Sequence, residues 1–348
     1  MYWRSARPAQ AVLLVLLMRG VLGGCARPQG VLFEPIKPAR VWPPPPEVPR
    51  IQLVGLLRDS GDLQAAQSAG ESFKAALRGP RPPITFEGPH AVAVRRAELL
   101  AVADAAGACV HIVDLQARTH TRISGWSEEE RFGVPLGVAW ARERLFVTDA
   151  QRHEVIELDA AGRFQGRFGC DILIRPVGIG YIRERDELYV VDGGAHCLVG
   201  FDLAGRKVRT IGGPGNACGA FNYPTHVSSA GDRLLVADSG NFRVQLMDLD
   251  GNCLRAIGRK GDGAGDFALP KGVAFDRDGH LYVVDAQFEN VQIFNPEGQL
   301  LLAFGMEGSG PGEFSLPAGL AIDDEDRIWV AESGNRRIQV FAYLGAEL

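Results

Sequence analysis

The stretch "DSGNFRVQLMD", Asp238 to Asp248, decides the fold because it is one of six near copies. The others start at Asp104 ("DAAGACVHIVD"), Asp149 ("DAQRHEVIELD"), Asp192 ("DGGAHCLVGFD"), Asp285 ("DAQFENVQIFN") and Glu332 ("ESGNRRIQVFA"). Each follows a short apolar run such as "LLVA" or "IWVA". Further upstream each unit opens on a proline and a second apolar run, from "PHAVAV" at Pro89 to "PAGLAI" at Pro317. The prolines at 89, 135, 176, 224, 270 and 317 are spaced 41 to 48 residues apart, the period of a four-stranded propeller blade. Alternation such as Val244, Leu246 or Val291, Ile293 marks a third strand in each unit, and "DLDGN" or "NPEGQ" turns the chain into a fourth. A single such sheet cannot bury both of its apolar faces, whereas six stacked around an axis bury them all and leave only short edges. The sequence therefore predicts an all-β, six-bladed β-propeller with four-stranded blades.

The repeated acid is expected to be architectural. A short polar side chain beside glycine bonds the amides of its own turn. Arg243 and Arg337, five residues further on, are within reach of carbonyls or of an acid on a neighbouring blade. Six acids in six equivalent places do not make the paired, unlike environments that carboxylate catalysis requires. The glycine-rich connectors "GDGAGDFALP" (Gly261 to Pro270) and "GSGPGEFSLP" (Gly308 to Pro317) lead into strands and lack Gly-Lys-Ser/Thr, which argues against a phosphate loop.

The P-x-G-[VIL]-A openings, the S-G-N-x-R-[VI]-Q centres and these connectors resemble the NHL-repeat family of six-bladed propellers over about residues 51–343. The match is densest in the last three blades. Cys109, Glu154 and Cys197 stand in the first three where Arg243 and Arg337 stand later.

The last repeat runs out before a fourth strand. The free run Arg50 to Leu57, "RIQLVGLL", is expected to supply it, so that the propeller occupies residues 50–348. Residues 58–80 read as a helical insertion: Glu71 to Arg78 puts Phe73, Ala76 and Leu77 on one face before Gly79-Pro80 stops the helix.

The first 24 residues have a signal-peptide layout, with Arg4 and Arg7 before the apolar run Ala11 to Met18. Leu22-Gly23-Gly24-Cys25 resembles a bacterial lipobox, which implies cleavage before Cys25 and acyl chains on that residue. Residues 25–49 form a lipidated linker, stiffened by Pro43 to Pro46 in polyproline II. Ala26 lies where an aspartate would resemble an inner-membrane retention signal. The expected location is thus exported and lipid-anchored, on the outer membrane facing the periplasm in preference to the inner membrane. A net charge of -5 and a pI near 5.9 give a nucleic-acid partner no support.

Chemistry is sought where the repeats depart from themselves near the axis. One residue after the proline the six units carry His90, Leu136, Val177, Thr225, Lys271 and Ala318; two after, Ala91, Gly137, Gly178, His226, Gly272 and Gly319. His90 and His226 lie three blades apart, hence across the channel. His90, Thr225, His226 and Lys271 are the candidate ligand contacts. Two facing imidazoles also suit a metal if a third donor or water joins them. That alternative, zinc or calcium on His90 and His226, resembles the peptidylamidoglycolate lyase propeller and implies a lyase or hydrolase. No catalytic triad or acidic metal cluster is legible, no catalytic residue is assigned and no cofactor is expected. The leading expectation is a monomeric, non-enzymatic binding module for a protein, peptide or glycan. Of the cysteines after Cys25, Cys170 and Cys218, each six residues before a blade-opening proline, are the expected disulfide pair if one forms in the exported chain.

Overall fold

The computed structural model describes residues 32–33, 35–63, 82–96 and 98–345; the signal segment, Cys25 and the helix expected at Glu71 to Arg78 lie outside the described residues. Five antiparallel sheets of four strands and one of five make six blades. Their inner strands are Pro89–Arg95, Pro135–Ala141, Pro176–Ile182, Pro224–Ala230, Pro270–Phe275 and Pro317–Ile322. Each packs beside the next, and the last returns beside the first, so the sheets form a closed ring. Among the described residues the helical structure is a single 3-10 turn, Ser239–Asn241.

In the sixth blade the outer position is taken by Ile51–Leu57, antiparallel to Arg337–Tyr343, with Ile51 opposite Tyr343 and Leu57 opposite Ile338. A bulge between Leu53 and Gly55 shifts the register by one residue, which turns the side chains that follow to the opposite face. Ile51 and Leu53 accordingly join the core shared with blade five, and Leu57 joins the core shared with blade one. One strand thereby closes both seams of the last blade. Val41–Trp42 adds a short strand outside it, with the Trp42 indole against Phe304 and Phe341 at 5.9 and 5.7 Å between ring centres.

The repeated acids are fully buried. Each accepts amide hydrogens from the connector that enters its own blade: Asp104 from Glu87 and Gly88 at 2.6 and 2.8 Å, and Asp238 from Asn222 at 2.7 Å. Such charge-assisted bonds contribute about 1.5–3 kcal/mol each. The two arginines pair with the acid of their own blade, not of a neighbour. Arg243 donates to Asp238 at 2.8 Å and to the carbonyls of Ala217 and Ala220 in the connector. Arg337 bonds Glu332 and the carbonyls of Ser309, Gly310 and Glu313. The connector phenylalanines Phe221, Phe267 and Phe314 are fully buried, the first and last of them in connectors held by these arginines. The shared letters of the repeat are thus a lock between each connector and its blade.

The disulfide joins Cys218 to Cys253, not to Cys170. The connector into blade four crosses the edge of that blade, where the Gly219 amide meets the Gln245 side chain at 2.8 Å. Cys218 therefore lies beside the outer strand Cys253–Ile257 of its own blade, with 5.6 Å between the cysteine Cα atoms. Cys170, in the connector one blade earlier, is an exposed thiol.

Candidate functional site

The inner strands run so close together that most cannot carry a side chain two residues after the proline. A Cβ on Gly178 would sit 2.5 Å from the Thr225 carbonyl oxygen, and one on Gly272 would sit 2.6 Å from that of Ala318. Both are closer than packed atoms tolerate, so glycine is required there. Blade four places an imidazole at this position. His226 is buried, and neither of its ring nitrogens has a hydrogen-bond partner. Leaving a buried polar group unpaired costs about 1–3 kcal/mol.

Across the axis lies His90, its ring 5.8 Å from that of His226 and inclined by 20°. The His90 Nδ1–H donates to the Leu136 carbonyl at 2.8 Å, which leaves Nε2 without a described partner. Burial, and next the charge of Lys271, push the His90 pKa down to about 4; the bond to Leu136 opposes this, and Arg175 adds a smaller downward push. His226 is held well below the ordinary imidazole value by burial, then by His90 and Lys271. Burial also lowers the Lys271 ammonium. Both rings are neutral at pH 7.

The structure thus brings His90, His226 and Lys271 together at the strand-start end of the channel. Thr225 turns elsewhere: its hydroxyl bonds Ser239 Oγ at 2.8 Å, and Ser239 Oγ donates to the Pro270 carbonyl at 2.5 Å, a tie between blades four and five. Arg175, which the repeat comparison passes over because it precedes the proline, is close enough for its charge to act on His90. Below His226 the channel narrows to a void of about 40 Å³ walled by Gly137, Gly178 and Gly319, room for about one water. It then widens toward the ends of the inner strands into a cavity of about 610 Å³, with Arg183, Asp276, Arg277 and Asp323 in its wall. That volume falls in the range of small-molecule sites.

Among the described residues, the three-donor group with metal-ligand spacing is not on the axis; it is Asp104, Cys109 and His111, in blade one. His111 Nε2 lies 3.3 Å from both Asp104 and Cys109, and His111 Nδ1 lies 2.8 Å from His120 Nε2. Burial, and next the charge of Asp104, push the Cys109 thiol up to about 12, and burial pushes His120 down to about 3. His111 occupies the place of Gln245 and Gln339, which also bond the acid of their blades. Arg122 stands in for the missing arginine clamp by donating to Glu87 of the connector at 3.3 Å and to the Gly107 carbonyl in the turn of its own blade at 2.9 Å. The cluster therefore completes the same lock with different residues. Its sequence signal was the break from glutamine at position 111.

No curated protein sequence matches this chain. Solved structures share its fold at low identity. A virginiamycin B lyase from Staphylococcus aureus is 13% identical, with a TM-score of 0.54 over 74% of this chain and 96% of that one. An auxiliary nutrient binding protein from Bacteroides ovatus is 12% identical, with a TM-score of 0.59 over 74% and 69%. A chain of the nidogen/laminin complex is 15% identical, with a TM-score of 0.52 over 67% and 84%. The NHL repeat model matches residues 314–341, which hold the end of the last connector and the Glu332–Arg337 pair, so this chain is a six-bladed β-propeller whose last blade matches an NHL repeat.

Proposed function

We propose that this protein is a non-enzymatic, membrane-anchored binding propeller of the cell envelope, whose axial channel receives part of a protein, peptide or glycan partner. The observation that carries this reading is His226: a buried imidazole whose two nitrogens have no partner within the protein, facing His90, where four other blades carry glycine and one alanine. A buried polar group that makes no bond within the protein fits a site that is completed by a ligand. The likeness to a nutrient binding protein and to a chain from a protein–protein complex is in keeping with binding on this scaffold. The expected signal segment and Cys25 supply the export and the anchor, and several acyl chains hold a protein firmly where one does not.

The test compares wild type with a His90→Leu/His226→Gly double variant, both substitutions being residues that other blades carry at these positions. An envelope component retained by the wild type, identified by mass spectrometry and bound again in purified form, is expected to lose affinity for the variant. Equal retention by both proteins refutes the channel as the binding site. Stoichiometric metal in the purified wild type, absent from the variant, would replace this reading with the lyase alternative. Export and anchoring are tested separately: Cys25→Ser should release the protein from the membrane fraction.

A further inference from the structure

The groups at the strand-start end of the channel share one electrostatic character. Lys271 is half-buried and, among the described residues, has no carboxylate or other hydrogen-bond partner. Positive charge from Lys271 and Arg175 bears on His90, and no acid figures among the influences on His90, His226 or Lys271. The repeated acids of blades four and five do not compensate it, because both are taken up by their own blades. Asp285, the acid of the blade that carries Lys271, is fully buried and accepts amides from Ala268, Leu269, Gln287 and Phe288. Asp238 is likewise taken up by Asn222, Arg243 and Gln245.

A half-buried ammonium without a counter-ion, beside two facing imidazoles whose His226 nitrogens and His90 Nε2 have no described partner, is complementary to negative charge. We infer that this end of the channel binds an oxyanion, the carboxylate or phosphate group of a ligand, held by Lys271 and His226 with His90 and Arg175 beside them. The inference rests on the reading of the channel as a binding site and names the chemistry of what enters it. An anion here supplies the acceptor that Lys271 lacks and favours a protonated imidazole, so that the ring nitrogens become donors. The binding step is non-covalent, with proton uptake from solvent as its only chemistry. A metal cation is disfavoured by the same charges.

The experiment titrates the full-length protein with inorganic phosphate and, separately, with acetate by isothermal calorimetry at pH 6 and constant ionic strength. Saturable one-to-one binding of at least one anion is expected. Loss of one charge-assisted bond of about 1.5–3 kcal/mol should weaken it about tenfold or more in His226→Gly and in Lys271→Met. Lys271→Met stands apart from any effect of His226→Gly on the inner strand. Binding of acetate assigns a carboxylate ligand, and binding of phosphate alone assigns a phosphate-bearing one. No saturable binding of either anion, or equal affinity in all three proteins, overturns the inference. Zinc binding that depends on His226 in place of anion binding overturns it too. A partner that still depends on His90 and His226 after a failed anion titration would leave the binding function standing, so the two readings fail separately.

Discussion

Deleting Ile51–Leu57 removes the strand that seals both seams of the last blade. Ile51, Leu53 and Leu57 are 0%, 1% and 0% exposed, and burying side chains of this kind contributes about 1.5–3 kcal/mol each, together about 5–9 kcal/mol. The ladder to Arg337–Tyr343 adds further bonds, each about 0.5–1.5 kcal/mol net. A single domain has only about 5–15 kcal/mol in hand. The deletion is therefore expected to abolish the cooperative thermal transition seen by circular dichroism, or to lower it by tens of degrees. A synthetic peptide covering Arg40 to Leu57 should restore the transition in a concentration-dependent way, because it binds only the folded ring. A deleted chain that melts within about 3 °C of wild type, equivalent to roughly 1 kcal/mol, would refute the seam reasoning.

Arg337→Met strands the buried Glu332 and three connector carbonyls, so urea denaturation should show a loss of about 3–5 kcal/mol. Arg243→Met, whose arginine is more exposed, should cost less; the reverse order contradicts the lock. Without reductant, peptide mapping should recover Cys218 linked to Cys253, and reduction should cost about 2–4 kcal/mol. In the native protein Cys170 should alkylate quickly, whereas buried Cys109 and Cys197 should resist until unfolding. Stability should fall as pH drops from 6.5 toward about 4, because His90, His226 and His120 stay neutral in the fold and take up protons on unfolding. His90→Leu/His226→Gly should reduce that slope in urea midpoints measured at pH 7 and 5, leaving the share of His120, and an unchanged slope contradicts the assignment.

The blades were legible because every level of the sequence repeats: proline, apolar run, acid and turn recur with one period, and only radial stacking buries all the faces they create. The N-terminal clasp could be expected from simple strand counting. Its bulge at Leu53 and Gly55 could not, since bulges leave no periodic mark. His90 and His226 stood out as breaks in a repeat, and the ring puts them face to face. The partner of Cys218 was missed because equivalence between blades suggested another connector. The path of the connector over its own blade edge, which sets the distance, is not a property of the repeat spacing. Thr225 was chosen by position alone, and its hydroxyl serves an inter-blade tie. The Asp104, Cys109 and His111 cluster is not legible from departures at the axis, because His111 bonds the acid within its own blade.

The thermal melt of His226→Gly tests most directly the claim that shared letters build the ring while departures serve the site. Glycine holds this position in four other blades, and its substitution removes two unpartnered buried nitrogens. The account predicts a melting temperature at or above that of the wild type. A fall of more than about 5 °C, roughly 2 kcal/mol for a domain of this size, would mean that His226 holds the fold together and would contradict its assignment to the binding site.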